Sequence, residues 1–389
     1  MEIPARLPEP SVDERVASER LSRRIRQALD AAGGFLPFEQ FMELALFAPG
    51  LGYYVGGARK FGAEGDFITA PERSTLFGRA VAHFWRAHLG YGDTVLEFGG
   101  GTGRLAASVL DELARLRALP ARYVIVELSP DLRERQQALL RAQAWASQVS
   151  LEWLAGPPPK PFHGLVLANE VLDALPTAVF EVGASGLRER GVEHDGSGFR
   201  WSDRPAGPTL ARRFGQALGG LGLPTGFRGE INLRLQAWLG DLPNFVQHGL
   251  ALLFDYGEPR RDLYHPSQPG GTLRCFHRHR VMDDPFWLPG LQDITASVDF
   301  TAVAEAANAA GLSVLGFANQ ASFLLANGIE RMLAEGMSRD PTEGSLLAMQ
   351  ARALLLPGEM GVRFKAMALG LHPAAALALF ADRDERHRL

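Results

Sequence analysis

An α/β fold built on a doubly wound, mostly parallel sheet is predicted by two patterns in this 389-residue chain. From Thr94 onward, short β-branched runs alternate with helix-length runs, the rhythm of strand–helix–strand units whose strands lie parallel. The first such strand, Thr94–Phe98, leads straight into Gly99, Gly100, Gly101 and Gly103 and then a helix, which is where open sheets of this kind hold their ligands. Mostly helical sequence precedes it.

In chain order, residues 14–32 read as a helix stopped by Gly33-Gly34, and 37–47 as a second helix before the Pro49-Gly50 turn. A glycine-rich stretch runs to Gly65, 74–88 is helical, and 90–93 turns into the sheet. Strand 94–98, helix 104–117, strand 123–127, helix 131–144 and strands 149–154 and 164–168 come next. Residues 178–228 break the rhythm with turn-rich sequence, expected to form a hairpin and a loop beside the sheet. A helix at 230–245 and an apolar strand at 250–254 resume it. The stretch 255–297 has little periodicity and is too long for a plain connection. A helix at 300–310, a strand at 312–316, Ala- and Leu-rich helices and a last strand at 362–369 complete the order. The charged tail at 382–389 is expected to fray. The expected division is a helical module over 1–92, carrying a loop that covers a ligand, and a sheet domain over 93–382 with insertions at about 178–228, 256–298 and 320–360.

Composition narrows the class. Hydrophobic residues make up 46% and charged residues 22%, and there is no long uncharged apolar run, so neither disorder nor membrane insertion is expected. A net charge of −4 gives no overall pull toward phosphate backbones, and a nucleic-acid partner is not expected. The single cysteine, Cys275, excludes an internal disulfide and points to a reducing compartment, the bacterial cytoplasm, or the mitochondrial matrix if the source is eukaryotic.

The glycine loop carries the chemistry. Its spacing is Glu97-x-Gly99-x-Gly101-x-Gly103, not the Gly-x-Gly-x-x-Gly of nicotinamide enzymes, and it resembles motif I of class I methyltransferases, whose cofactor bears a sulfonium and no diphosphate. Glu97 beside a cationic cofactor is electrostatically sensible, although the same residue can simply orient the loop. Glu127, ending the next strand, suits the two ribose hydroxyls of an adenosine; a solvated strand-end carboxylate is the other reading.

Further segments make the resemblance specific. Leu51-Gly52-Tyr53-Tyr54, Gly65-Asp66-Phe67-Ile68-Thr69-Ala70-Pro71, Asn169-Glu170-Val171-Leu172-Asp173-Ala174-Leu175-Pro176, Gly229-Glu230-Ile231, Asp255-Tyr256-Gly257, Gly271-Thr272-Leu273-Arg274 and residues 293–300 occur in the order and approximate spacing of the MidA-type complex I assembly methyltransferases. The chain resembles that family from about residue 30 to 369. The resemblance implies a class I methyltransferase, a Rossmann-like seven-stranded sheet with a helical addition, S-adenosylmethionine as cofactor, and dimethylation of an arginine on a core subunit of respiratory complex I. The implied cofactor-binding set is Asp66, Phe67, Thr69, Pro71, Glu97, Gly99, Gly101, Gly103, Glu127, Leu128, Asn169 and Glu170. The implied partner is a protein substrate, with a homodimer allowed.

Methyl transfer to a guanidinium needs carboxylates to orient the acceptor and take its charge or proton. Glu170 and Asp173, just past the fourth strand, are the first candidates: on a helix their spacing would place both on one face. Asn169, Glu170 and Asp173 are equally suited to capping or supporting that helix. Asp255 and Tyr256, ending the fifth strand, should point into the same mouth, and Glu230 is placed at a helix start. His265, His277 and His279 have no recognisable ligand spacing and lie among Arg274, Arg278 and Arg280, so no metal is expected. That basic stretch is either a docking surface or a solvated loop. A small-molecule acceptor, or an assembly factor that binds the cofactor without needing catalysis, also fits the residues.

Overall fold

The architecture is that of a computed structural model, which describes residues 9–56, 69–89, 93–371, Phe380 and 383–389. Seven strands form the central sheet: β1 Thr94–Phe98, β2 Arg122–Val126, β3 Ser150–Leu154, β4 Phe162–Asn169, β5 Val246–Glu258, β6 Ser313–Asn319 and β7 Phe364–Leu371. Their spatial order is 3-2-1-4-5-7-6. Strands β1 to β5 run parallel, and β7 inserts antiparallel between β5 and β6. The short strand Val298–Asp299 extends the end of β5.

Both faces of this sheet are covered, which is why its strands read as nearly continuous apolar runs. Leu165 and Leu167 of β4 and Leu250, Leu252 and Phe254 of β5 face helices Thr75–His88, Arg104–Arg115 and Gln320–Ala326. The alternating residues Val166, Ala168, Ala251 and Leu253 face helices Leu235–Phe245 and Phe300–Ala309. On the first face, the buried Glu112 carboxylate ties helices together: Arg79 Nε donates to it at 3.1 Å, Arg115 Nη2 at 2.6 Å, and His83 Nε2 lies 2.9 Å away. Among the described residues no helix is long and apolar enough to cross a membrane.

The leading helices join two different cores. Helix Val12–Ala31, opened by a reciprocal cap between Ser11 and Glu14, and helix Phe38–Phe47 share an apolar cluster with Val179, Val192, Cys275 and Ile294, whereas helix Thr75–His88 packs on the main sheet. The 178–228 stretch is more than a hairpin. Ala178–Gly183, Gly186–His194, Phe199–Pro205 and Arg228–Ile231, with the two-residue strand Leu36–Pro37, make a five-stranded antiparallel sheet that carries helix Pro208–Ala217.

Three expectations are corrected. The helix expected from residue 230 begins at Leu235, because Glu230 pairs across strands with Val179. The stretch 255–297 is not structureless: Arg274–His277, Arg280–Met282 and Asp293–Thr295 form a three-stranded sheet. The tail at 383–389 is pinned to β6, Glu385 N–H donating to Phe317 O at 2.6 Å and Phe317 N–H to Asp384 Oδ1 at 3.2 Å.

Glu112→Gln is expected to lower unfolding free energy by about 2 kcal/mol at neutral pH, since it removes the buried charge that Arg79 and Arg115 share and leaves them only Glu335, at 3.7 and 3.9 Å. Urea denaturation measures this; an unchanged midpoint would mean the network is incidental.

Candidate active site

At the carboxyl end of β1 the chain must reverse toward β2 and start a helix within five residues. It does so with φ of +64° at Gly99, +53° at Gly101 and +85° at Gly103, the last being the N-cap of helix Arg104–Arg115. A Cβ on Gly101 would meet no protein atom within 4 Å, so this backbone faces open space. That space is a cavity of about 330 Å³ beyond the strand ends, within the usual range for a small-molecule site.

Nine of the twelve residues expected to hold a cofactor line it: Thr69, Pro71, Glu97, Gly99, Gly101, Glu127, Leu128, Asn169 and Glu170. Gly103 lies behind the loop as the helix cap, while Asp66 and Phe67 lie outside the described residues. Glu127 is aimed by Ser129 N–H, which donates to Oε1 at 2.9 Å, and by Gln136 Nε2, which donates to Oε2 at 3.0 Å and to Gly101 O at 2.8 Å. One buried amide therefore fixes both the acidic residue and the glycine loop. Glu97 accepts Tyr123 OH at 2.7 Å, and burial, reinforced by nearby Glu127, pushes its carboxyl up to about 7. Among the described residues the lining carries the carboxylates Glu72, Glu97, Glu127 and Glu170 and one cation, Arg104, which is itself paired with Glu72 at 3.0 Å. Such a cavity attracts a cationic ligand and repels a diphosphate.

The acidic wall differs from the expected helix face. Residues 170–175 are not helical: Glu170 sits at φ +54° and the chain turns, with the N–H groups of Leu172 and Asp173 donating to Asp255 Oδ2 at 2.9 and 3.2 Å. Glu170 alone of the three expected catalytic acids reaches the cavity. Asp255 is wholly buried behind it, holding the loop, and Tyr256 turns away to donate to Thr295 Oγ1 at 2.6 Å. Glu230 lies outside this cavity, its carboxylate accepting Thr272 N–H at 2.9 Å and Thr272 Oγ1 at 3.0 Å. The histidines are apart from it too: His277 bonds Leu291 O and His265 bonds Ser267.

Burial first, then Asp255, raises Glu170 to about 8; burial raises Asp255 to about 7 against the opposing pull of its backbone donors. Asp173 is also pushed up, by burial and then by Asp255, Asp293 and Glu170. Sequence reasoning gave no role to Tyr54, which lines the cavity and donates to Asp293 Oδ1 at 2.8 Å, nor to Glu72, Trp238 and Gln136. The Tyr54 and Asp293 segments are visible as motifs, but their 239-residue separation hides the contact.

A 3-2-1-4-5-7-6 sheet with an acidic, glycine-walled cavity at its first switch point defines a class I S-adenosylmethionine-dependent methyltransferase. Comparison with known proteins agrees. Residues 76–318 match the family described as "Putative S-adenosyl-L-methionine-dependent methyltransferase". The chain is 40% identical, over 99% of its length and all of the other, to a "likely methyl transferase from Burkholderia thailandensis bound to S-adenosyl-homocysteine", with a TM-score of 0.92. It is 30% identical to the Danio rerio "Protein arginine methyltransferase NDUFAF7, mitochondrial" over 86% of this chain and 83% of that one. The Drosophila melanogaster homologue is 29% identical over 95% and 89%. The chain belongs to this methyltransferase family, and S-adenosylmethionine is its cofactor.

Glu127→Ala is expected to weaken S-adenosylhomocysteine binding by about ten-fold or more in calorimetry while the protein stays folded. Gly101→Val should weaken it further, by strained backbone and a side chain in the cavity. Wild-type affinity in either would remove the loop and its acid from the cofactor site.

The raised carboxyls also predict a pH dependence. Glu170 and Asp255 hold protons in the folded protein that the unfolded chain releases near pH 4, so their contribution to stability falls as pH rises from about 4.5 to 8. Glu170→Gln should therefore raise the melting temperature of the ligand-free protein more at pH 8.5 than at pH 5.5, read by calorimetry. An equal shift at both would contradict the raised Glu170.

Proposed function

We propose that this protein transfers methyl groups from S-adenosylmethionine to an arginine side chain of a protein substrate. The observation that carries this reading is the wall of four acids at the end of the cofactor cavity, Glu170 with the buried Asp173, Asp255 and Asp293 behind it. The names of the Drosophila and Danio relatives, which are protein arginine methyltransferases, support the same acceptor. The family resemblance adds the narrower reading that the acceptor belongs to a core subunit of respiratory complex I.

Bound in the cavity, the cofactor supplies an electrophilic methyl carbon on a sulfonium. Glu127 would hold the adenosine end through the ribose hydroxyls, and the Gly99–Gly103 loop would let the backbone come close. Glu170 acts at the other end. It faces the cavity, Asn169 Nδ2 donates to its Oε1 at 3.2 Å, and Glu170 N–H is fixed to Phe254 O at 2.8 Å. A guanidinium beside it draws the carboxyl toward ionisation, and the ionised carboxylate aligns one guanidine nitrogen on the methyl carbon. As the N–C bond forms and the S–C bond breaks, that nitrogen loses a proton, and Glu170, whose proton affinity burial has raised toward neutral pH, accepts it. Asp255 acts through the loop it holds rather than by touching the acceptor.

The test is incubation of the purified protein with methyl-labelled cofactor and an extract from cells lacking the protein, followed by peptide mass spectrometry. Methylarginine in a defined peptide is expected. Label confined to lysine or to a small molecule would overturn the acceptor. In the same assay, at saturating cofactor, Glu170→Gln should lower kcat by about 100-fold; undiminished turnover would remove Glu170 from the proton transfer.

A further inference from the structure

S-adenosylmethionine carries a sulfonium, an ammonium and one carboxylate. A cavity lined by Glu72, Glu97, Glu127 and Glu170 suits the two cationic groups and repels the anionic one. Among the described lining residues only Arg104 bears the charge that a carboxylate needs. It opens helix Arg104–Arg115, whose N-cap is Gly103, so no side chain caps this end. The first helical bond runs from Ala107 N–H to Gly103 O at 2.9 Å, which leaves the amides of Arg104, Leu105 and Ala106 ahead of the hydrogen-bonded ladder. Thr102, Arg104 and Leu105 all line the cavity, so the positive end of this helix faces it beside the guanidinium.

Glu72 fixes that guanidinium in place. It stands in the short helix Ala70–Arg73 of the leading module and reaches the glycine loop with both carboxylate oxygens. One accepts the Thr102 hydroxyl, and the other meets Arg104 Nε at 3.0 Å. The Glu72 side chain is only 9% exposed whereas that of Arg104 is 63% exposed. The acid is therefore taken up by the brace and presents little charge to the cavity. Its contact with Arg104 is through the inner nitrogen of the fork, and the two outer nitrogens are the edge that binds a carboxylate side by side.

We propose that Arg104, braced by Glu72 and standing on an uncapped helix start, is the site of the cofactor's α-carboxylate. Glu72 is then a positioning residue, through which the leading module takes part in choosing the cofactor. Such a site reads the amino-acid tail as well as the adenosine. An adenosyl thioether without the carboxylate gains nothing from Arg104, so the cavity rejects decarboxylated and tail-less adenosines that Glu127 alone would accept. Lysine at position 104 would keep the charge but lose both the braced nitrogen and the planar fork.

The test is calorimetric titration of the full-length protein with three probes: S-adenosylhomocysteine, its decarboxylated counterpart S-adenosyl-3-thiopropylamine, and 5′-methylthioadenosine, which lacks the whole tail. The unaltered protein should bind the first at least about ten-fold more tightly than the second. Arg104→Gln should weaken S-adenosylhomocysteine about ten-fold and leave the other two probes no weaker than about two-fold, and Arg104→Lys should recover only part of the loss. Glu72→Gln should weaken S-adenosylhomocysteine about three-fold with methylthioadenosine unchanged. Discrimination below about two-fold in the unaltered protein would overturn the carboxylate site without any variant. Equal loss of all three probes in Arg104→Gln would make Arg104 a prop of the glycine loop instead. Tighter S-adenosylhomocysteine binding in Glu72→Gln would make Glu72 a competitor for Arg104 and overturn its positioning role.

Discussion

Asp255 Oδ2 accepts the N–H groups of Leu172 and Asp173, and those two bonds tie the acid-bearing loop to the neighbouring strand. A strand that ends at Asn169 would ordinarily pass into a helix that covers the sheet. Here Glu170 takes a positive φ of +54° and the chain turns, while the Asp255 carboxylate satisfies the two amides that the turn leaves without a backbone partner. The backbone of Asp173 is held in turn by Ala296, whose N–H donates to its carbonyl at 3.1 Å. Removing Asp255 would free the loop and leave buried amides unpaired, which is why a residue that touches no substrate still governs the geometry.

The additions to the sheet converge on the same point. Tyr54 comes from the leading module, Asp293 and Thr295 from the insertion after β5, and Glu230 from the antiparallel sheet before it. Each brings a polar group into a region that the bare seven-stranded sheet would leave open to water. Closing it off lowers the local dielectric, raises the cost of ionising each acid, and strengthens whatever interaction a cation then makes with them. Large insertions are thus part of the electrostatics and not merely decoration on a common fold.

What could be read from sequence divides along the same physical line. The β1 strand, its glycine loop and Glu127 were legible because their geometry is local: a tight reversal needs positive φ, and the carboxyl end of a parallel strand has a fixed direction. The strand order is partly so, since alternation fixes parallel neighbours but not the antiparallel insertion of β7. The direction of Asp255 was not legible, because strand-end residues point either to solvent or beneath the adjoining loop, and only the Leu172 and Asp173 amides decide which. Glu230 was misplaced because Gly229-Glu230 before an apolar run resembles a helix start, and its pairing with Val179 is a long-range fact. Helical spacing between Glu170 and Asp173 was equally persuasive and equally local, but the left-handed backbone at Glu170, φ +54°, breaks the helix where it would start.

The proposed arginine acceptor would explain why so many acids are tolerated. A sulfonium and a guanidinium brought to about 4 Å repel by about 4 kcal/mol at an effective dielectric near 20, and a dry cavity makes that worse. Fixed carboxylates would cancel the repulsion but would be ruinous when the site is empty, since several like charges cannot stay ionised together in a buried space. Burial resolves the conflict: it raises Glu170 and Asp255 toward neutral pH, so both hold protons in the empty site, and a cation beside Glu170 would favour its ionised form. The charge of the wall is then set by its ligands. A proton shed on binding leaves an acceptor ready for the proton released in methyl transfer, so the feature that makes the empty site stable is the same one that makes the filled site reactive.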